Sequence, residues 1–344
     1  MVGLKVGQAH NRGLLPSLRS PASAMNALWS LLALMAGLLC AAPASAQAYP
    51  HRPVHLIVHN NPGSAPDLLA RYLAGHVGDA WKAGAVVDNR SAAAGIVAAE
   101  TVAQAPADGY NLLVGGDGPI TILPQLQKLP YDAQHSLIPV AALGQIDFVL
   151  VTHPGTGWRS IGDFVHAAQA QPGRFNYASA GNGSPLQFAM ELLKQRAGFF
   201  ATHIPYRGGP LALQDVAGGQ VDAMFIAIGP ALPLIRSGRL VALATSGEQR
   251  SALLPGVPTV AETFKGFRAG AWFGLFAPAG TPPAVLDRIA GDVRRTLQTP
   301  AAQRELASQG IEVSRQSPTD FQRQVSSEFV RYAQLVKTAG IHTD

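Results

Sequence analysis

The sequence predicts an α/β protein of two lobes, with the second lobe inserted into the first. Short β-branched runs alternate with segments of helical periodicity, two apolar stretches stand where the chain would cross between lobes, and the last part reads as a series of helices with start signals. The runs are Val54 to Val58, Ala85 to Asp88, Asn111 to Val114, Phe148 to Thr152, Phe175 to Ala178, Val221 to Ile226, Leu240 to Thr245 and Trp272 to Phe276. Between them side chains recur at helical spacing, as in Leu68, Leu69, Tyr72, Leu73, His76 and Val77. Such alternation implies largely parallel sheets. The crossings fall at Asp147 to Thr152 and Ala271 to Ala277, so 49–147 plus 271–344 form lobe 1 and 148–270 form lobe 2. Thr281-Pro282, Thr299-Pro300 and Ser317-Pro318 start three closing helices, with Asp320 completing a capping box in the last.

Residues 1–48 read as a leader and cleaved signal peptide. Met25 to Ala48 carries no charge and is rich in leucine, Lys5, Arg12 and Arg19 precede it, and the small-x-small patterns allow cleavage after Ala46 or Ala48. Met25 is an alternative start. The apolar run from Ala27 to Ala42 falls short of the roughly 20 residues a bilayer demands. Leu39 ahead of Cys40 is not the small residue a lipid-anchor box needs. Cleavage makes the mature protein periplasmic.

Removing Lys5, Arg12 and Arg19 from the 26 basic residues leaves 23 against 21 acidic ones, a net charge of +2. No run of Lys or Arg interleaves with aromatics, so no nucleic-acid partner is expected. Cys40 is the only cysteine, so its loss with the leader excludes disulfides, thiolate metal sites and cysteine nucleophiles. His51, His55 and His59 would share one face of a strand, but no carboxylate pattern joins them and no metal is expected.

The informative positions follow the strands. After Val54 to Val58 comes a loop with Asn61, Gly63, Ser64 and Asp67, where Ser64 is placed to cap a helix and Asp67 to reach back as its N3 partner. After Phe175 to Ala178 come Ser179, Gly181, Asn182, Gly183 and Ser184, with Ser184 as N-cap, Pro185 at N1 and Gln187 closing a second box. Unpaired N–H groups and the positive end of the helix dipole gather at such termini, so a carboxylate is held there without a buried cation. Glycine and Ser-Pro also simply make good turns. Gly116-Asp117-Gly118-Pro119 and Gly208-Gly209-Pro210 add two more such loops.

Arg52-Pro53-Val54, Gly63 to Asp67 followed by Leu69-Ala70-Arg71, Pro106-Ala107-Asp108-Gly109-Tyr110, Tyr177 to Ser184, His203-Ile204-Pro205-Tyr206-Arg207-Gly208, Gly218-Gly219-Gln220-Val221-Asp222 and Trp272 to Pro282 together closely resemble the Bug-type receptors of tripartite tricarboxylate transporters, in register over nearly all of the mature chain. The resemblance implies a type II, Venus-flytrap periplasmic binding protein with two hinge crossings. It implies that loops of both lobes grip a small carboxylate (an amino acid, mono- or dicarboxylate) mainly through backbone amides and hydroxyls, and that the membrane permease subunits of such a transporter receive it. The positions are Asn61, Gly63, Ser64 and Asp67 in one lobe and Ser179, Gly181, Asn182, Gly183 and Ser184 in the other, with Tyr206 and Arg207 nearby. Arg207 is the candidate for a direct charge contact.

The chain departs from the family's pattern at His59-Asn60, at Gly63-Ser64 and at Ser91-Ala92-Ala93-Ala94-Gly95. Asp117 stands where a third loop should face the cleft beside Gly116, so its charge would favour a zwitterionic or monocarboxylic ligand; a turn or cap is its other reading. Trp272 and Phe273 would line the pocket or pack in the core. Two rival functions have different discriminators. A sensor or adaptor needs the same cleft, whereas a hydrolase or transferase needs a nucleophile elbow, phosphate loop or dinucleotide fingerprint that is absent here. No catalytic residue and no cofactor are therefore expected.

Overall fold

The computed structural model describes residues 49–77 and 80–339, together with Gly3, Met25 and Trp29. The chain divides into two units, Met1–Ala48 and Tyr49–Asp344. The signal-peptide core, both cleavage positions and Cys40 lie outside the described residues. Among the described residues no helix is long and apolar enough to cross a membrane.

The order is β1 (Val54–Val58), α1 (Ala65–His76), β2 (Ala85–Asn89), α2 (Ile96–Ala103), β3 (Asn111–Gly116), a short α3 (Leu123–Leu126) and the long β4 (Leu137–Thr152). There follow α4 (Ile161–Ala170), β5 (Asn176–Ser179), α5 (Pro185–Ala197), β6 (Thr202–Pro205), α6 (Gly209–Ala217), β7 (Ala223–Ala227), α7 (Ile228–Arg236), β8 (Val241–Thr245) and a short α8 (Val260–Thr263). The chain ends with β9 (Gly270–Pro278), α9 (Pro283–Leu297), α10 (Pro300–Ser308), β10 (Ile311–Val313) and α11 (Pro318–Ala339).

The strands run β2-β1-β3-β9-β4-β7-β5-β6, with β8 and β10 also pairing with β4. Pairings of β1 with β2 and β3, and of β5 with β6 and β7, are parallel. Every pairing that involves β4 or β9 is antiparallel, so the sheets are mixed and not largely parallel. The reason is β4, whose 16 residues reach about 50 Å at the usual rise per residue. Leu137 to Asp147 pair with β9, while Phe148 to Thr152 pair with β7. One strand thus belongs to both sheets, and β9 runs back beside it. The result is a two-lobe α/β architecture.

Alternation along β1 sends Leu56 and Val58 into one core with Leu69 and Leu73 of α1, while Ile57 joins Ala98 and Val102 of α2, Phe276 and Phe321 on the other face. The first of these clusters extends onto the second sheet, where Trp158 meets Phe164 and Phe175 edge to face. A third cluster joins Ile122, Phe188 of α5 and Tyr332 of α11, with Leu126 packed on it. It ties the region after β3 to the first turn of α5.

Two helix starts differ from the spacing-based expectation. The Thr281 hydroxyl donates to the Pro278 carbonyl and α9 begins at Pro283, so Thr281 closes the turn after β9 instead of capping a helix. Ser317 accepts from the Asp320 N–H, but its hydroxyl donates to the Asp320 carboxylate, which leaves the reciprocal half of the box unmade.

Candidate ligand-binding site

The loop after β1 is built around Asp67. Its side chain is only 2% exposed. One oxygen accepts from the Gly63 N–H at 2.8 Å and Arg71 Nε at 2.9 Å, and the other from Asn89 Nδ2 at 3.0 Å. Burial opposes the charge, but the Arg71 guanidinium, the Gly63 amide and the Asn89 amide outweigh it and hold the carboxyl below its usual range. The expected capping box is not formed: the Ser64 hydroxyl donates to the Asn61 carbonyl at 2.6 Å, and Asp67 reaches Gly63 instead of Ser64. Gly63 turns with φ of 80°, a conformation that favours glycine. Ala65 and Asp67 keep their N–H groups without a partner among the described residues, at the positive end of α1.

The loop after β5 is held by a relay. Gln187 is 6% exposed, and its Oε1 accepts from the Gly183 N–H at 2.7 Å. Its Nε2 therefore faces His203 Nδ1, 3.2 Å away, as the donor. That assigns the proton of the neutral imidazole to Nε2, which donates to Ser179 Oγ at 2.6 Å. Burial, with Lys194 adding to it, pushes His203 down to about 4 and keeps it neutral. Ser179 also accepts from the Gly181 N–H and lies 3.1 Å from the Gly181 carbonyl, to which it donates. Ser184 caps α5 by accepting from the Gln187 N–H at 3.4 Å, but Gln187 returns to Gly183 and not to the cap's own N–H.

The relay makes the Ser179–His203 contact a donation to the serine. A general base must accept the serine proton, and here the imidazole already carries its proton on the nitrogen that faces the serine. Ser179, fully buried, is a brace for the Gly181–Ser184 turn.

Tyr206 leans on the same turn through its N–H, which donates to the Ser179 carbonyl, and its hydroxyl is spent on Asp215 at 2.6 Å. Arg207 and the side chain of Asn182 have no partner among the described residues, and Arg207 is exposed. Gly116 leaves no room for a side chain, since a Cβ would stand 2.8 Å from the Trp272 carbonyl. Asp117 is 2% exposed; its Oδ1 accepts from Gly118 N–H and its Oδ2 is buried without a partner. Burial, reinforced by Glu328, raises its carboxyl well above the usual range. Burial with a single amide partner thus disfavours the charge expected of it.

The register places Val58 beside Asn89 and Val114, so the first loop, Asn89 and Gly116 share one strand-end region. Ser179 pairs with Pro205, which gathers Gly181, Asn182, Gly183, Ser184, Tyr206 and Arg207 in a second. Gly183 bridges towards the first: with φ of 75°, a Cβ on it would lie 2.9 Å from methyls of Leu123 and Leu126. No hydrogen bond among the described residues joins the Asn61–Asp67 loop to the Gly181–Ser184 loop. Two cavities of about 620 and 220 Å³ open elsewhere, along Gln145, Arg268 and Trp272, and neither is lined by these loops. Trp272 packs edge to face on Phe321, whereas Phe273 faces His59. The three N-terminal histidines separate: His51 bonds Tyr110, His55 is exposed and His59 is buried. Spacing put Gln187 in the second loop as a capping partner of Ser184; it did not reveal His203, which lies within β6, or His59, whose only signal was its position directly after β1.

These features match known proteins. The profile of the "Tripartite tricarboxylate transporter family receptor" matches residues 69–341. Protein BugT of Bordetella pertussis is 34% identical over 303 residues, 87% of this chain and 93% of that protein. Among solved structures, Rpa4515 of R. palustris with adipate aligns with a TM-score of 0.79 and 31% identity, covering 86% of this chain and 99% of that one. MatC of Rhodopseudomonas palustris with bound malate aligns with a TM-score of 0.75 and 30% identity, covering 84% and 100%.

Proposed function

The chain belongs to the tripartite tricarboxylate transporter receptor family, and from that premise we propose that it captures a small carboxylate between its lobes and presents it to the membrane permease subunits of such a transporter. The reading rests first on the two loops that start α1 and α5. Each sits at the carboxyl end of a strand and is stiffened from behind, by Asp67 in one and by the Gln187–His203–Ser179 relay in the other, with the N–H groups of Ala65 and Asp67 unpaired at the first helix start and that of Leu186 at the second. Arg207 supplies the one free guanidinium in the second group among the described residues. The adipate and malate of the solved relatives fit a ligand of this class.

In this reading 49–147 with 271–344 and 148–270 are the two lobes, and the change of partner along β4 between Asp147 and Phe148 supports the border. The proposed site set is Asn61, Gly63, Ser64, Asp67, Gly116, Asp117, Ser179, Gly181, Asn182, Gly183, Ser184, Tyr206 and Arg207, in which Asp67 and Ser179 brace their loops from behind. Burial disfavours the charge on Asp117, which weakens its selection against a second ligand carboxylate. The protein acts after export to the periplasm and cleavage behind Ala46 or Ala48, and performs no chemistry on its ligand; the Nε2–H tautomer of the neutral His203, which donates to Ser179, favours that last point. Mass spectrometry of what co-purifies, followed by thermal denaturation with adipate, malate, aspartate and benzoate, tests the proposal. A ligand at a hundred times its Kd adds about 2.7 kcal/mol to stability. No shift with any of them at millimolar concentration, and no co-purified acid, would sink it.

A further inference from the structure

We infer that His59 imposes a hydrogen-bond donor on the ligand, so that the carboxylate taken by this protein also bears a hydroxyl, ammonium or amide N–H directed at the end of β1. The inference rests on the site proposed above and adds to it the group that faces the ligand's other end. His59 follows β1 directly and is 9% exposed. Its ring lies between two glycines: a Cβ at Gly95 would stand 2.9 Å from His59 Cβ, and one at Gly116 would stand 3.4 Å from Cε1. Phe273 lies beyond, with ring centroids 6.4 Å apart.

His59 Nδ1 is 3.0 Å from the Val114 carbonyl, which accepts only, so Nδ1 carries the proton. Burial holds the ring neutral, and the amino end of α2 directly behind Gly95 disfavours a second proton further. Nε2 is then a lone pair, and no donor among the described residues meets it. Nε2 keeps access to solvent, so a ligand that displaces its water without supplying a donor leaves the lone pair unmet, at a cost. A carboxylate oxygen would set lone pair against lone pair and is excluded there. The helix-start amides of the two loops take the carboxylate, and Nε2 takes an N–H or O–H on the same molecule.

The test is calorimetric titration of the wild type and His59→Phe with succinate, malate and aspartate, and with benzoate and 4-hydroxybenzoate. The Phe variant keeps a ring between the glycines, and the Val114 carbonyl keeps the His59 backbone N–H at 3.3 Å. Should it not fold, as judged by circular dichroism, His59→Met serves in its place. The wild type is expected to prefer the member of a set that carries the donor by about tenfold or more. The variant should lose that preference while its affinity for the unsubstituted acid changes less than about threefold. A wild type that does not discriminate overturns the inference, and so does a preference that survives the substitution. If neither protein binds any acid, the carboxylate reading itself fails, and this inference with it.

Discussion

Replacing Gln187 with Met keeps the length and most of the volume of a side chain that is 6% exposed while deleting both of its hydrogen-bonding ends. Two losses follow. The buried Gly183 N–H, now 2.7 Å from Oε1, is left without an acceptor, which costs roughly 1–3 kcal/mol. His203 Nδ1 loses its donor, a further 0.5–1.5 kcal/mol or so. The thioether recovers some of this by apolar contact, so the expected net loss is about 2–3 kcal/mol, or roughly 4–12 °C in Tm for a chain of this size. Urea unfolding at pH 7 measures the loss directly. Nitrogen chemical shifts of the His203 ring report the mechanism: protonation at Nε2 in the wild type, and a mixed tautomer in Gln187→Met. A loss below about 0.5 kcal/mol, or a wild-type ring protonated at Nδ1, would refute the relay and reopen Ser179 as a nucleophile.

Stability should rise with pH between about 4 and 6.5, because His203 is depressed to about 4 from 6.5 and the unfolded chain alone binds its proton in that window. The contribution is complete above pH 6.5, is lost as pH falls to about 4, and is at most about 3 kcal/mol; urea midpoints for wild type and His203→Asn across this range should show the slope flatten in the variant. Ala93 and Ala94 have φ of 51° and 53°, so Ala93→Gly and Ala94→Gly should each stabilise by about 0.5–1 kcal/mol in thermal denaturation, contrary to the usual sign for glycine. Arg207→Ala should leave unfolding within about 0.5 kcal/mol and weaken carboxylate binding about tenfold by calorimetry.

Local pattern carried the strands and most helix starts, since β1, β3, β5 and β7 lie within two residues of the apolar runs and Ser184 and Thr299 cap the helices they precede. The pattern failed where pairing decides. Leu137 to Asp147 contain Pro139, Gly144, Gln145 and Asp147, a poor strand by composition, yet β9 pairs along their whole length and completes a strand that composition reads only from Phe148. β6 holds a proline and β10 has three residues, so each exists only because β5 and β4 offer an edge. The loops were placed correctly after β1 and β5, but their inner wiring was not. Asp67 has a local partner in spacing, and a better one in Asn89, which only the parallel register of β1 with β2 brings within reach.

The same wiring bears on how an anion would be held. Of the acids near the two loops, Asp67 spends both oxygens on its own scaffold, and burial disfavours the charge on Asp117. Neither opposes a carboxylate with a free charge. The cations are equally committed, since Arg71 serves Asp67 and Asn89, and Lys194 serves Glu191. What remains is a nearly neutral setting in which oriented N–H groups supply the attraction and Arg207 adds one exposed charge. Such a site should depend only weakly on salt, because fixed amide dipoles at short range are screened far less than paired surface charges. Affinity that falls steeply between 50 and 500 mM NaCl in wild type and Arg207→Ala alike would mean that the attraction comes from charges elsewhere on the surface, and the amides could not then be the principal hold.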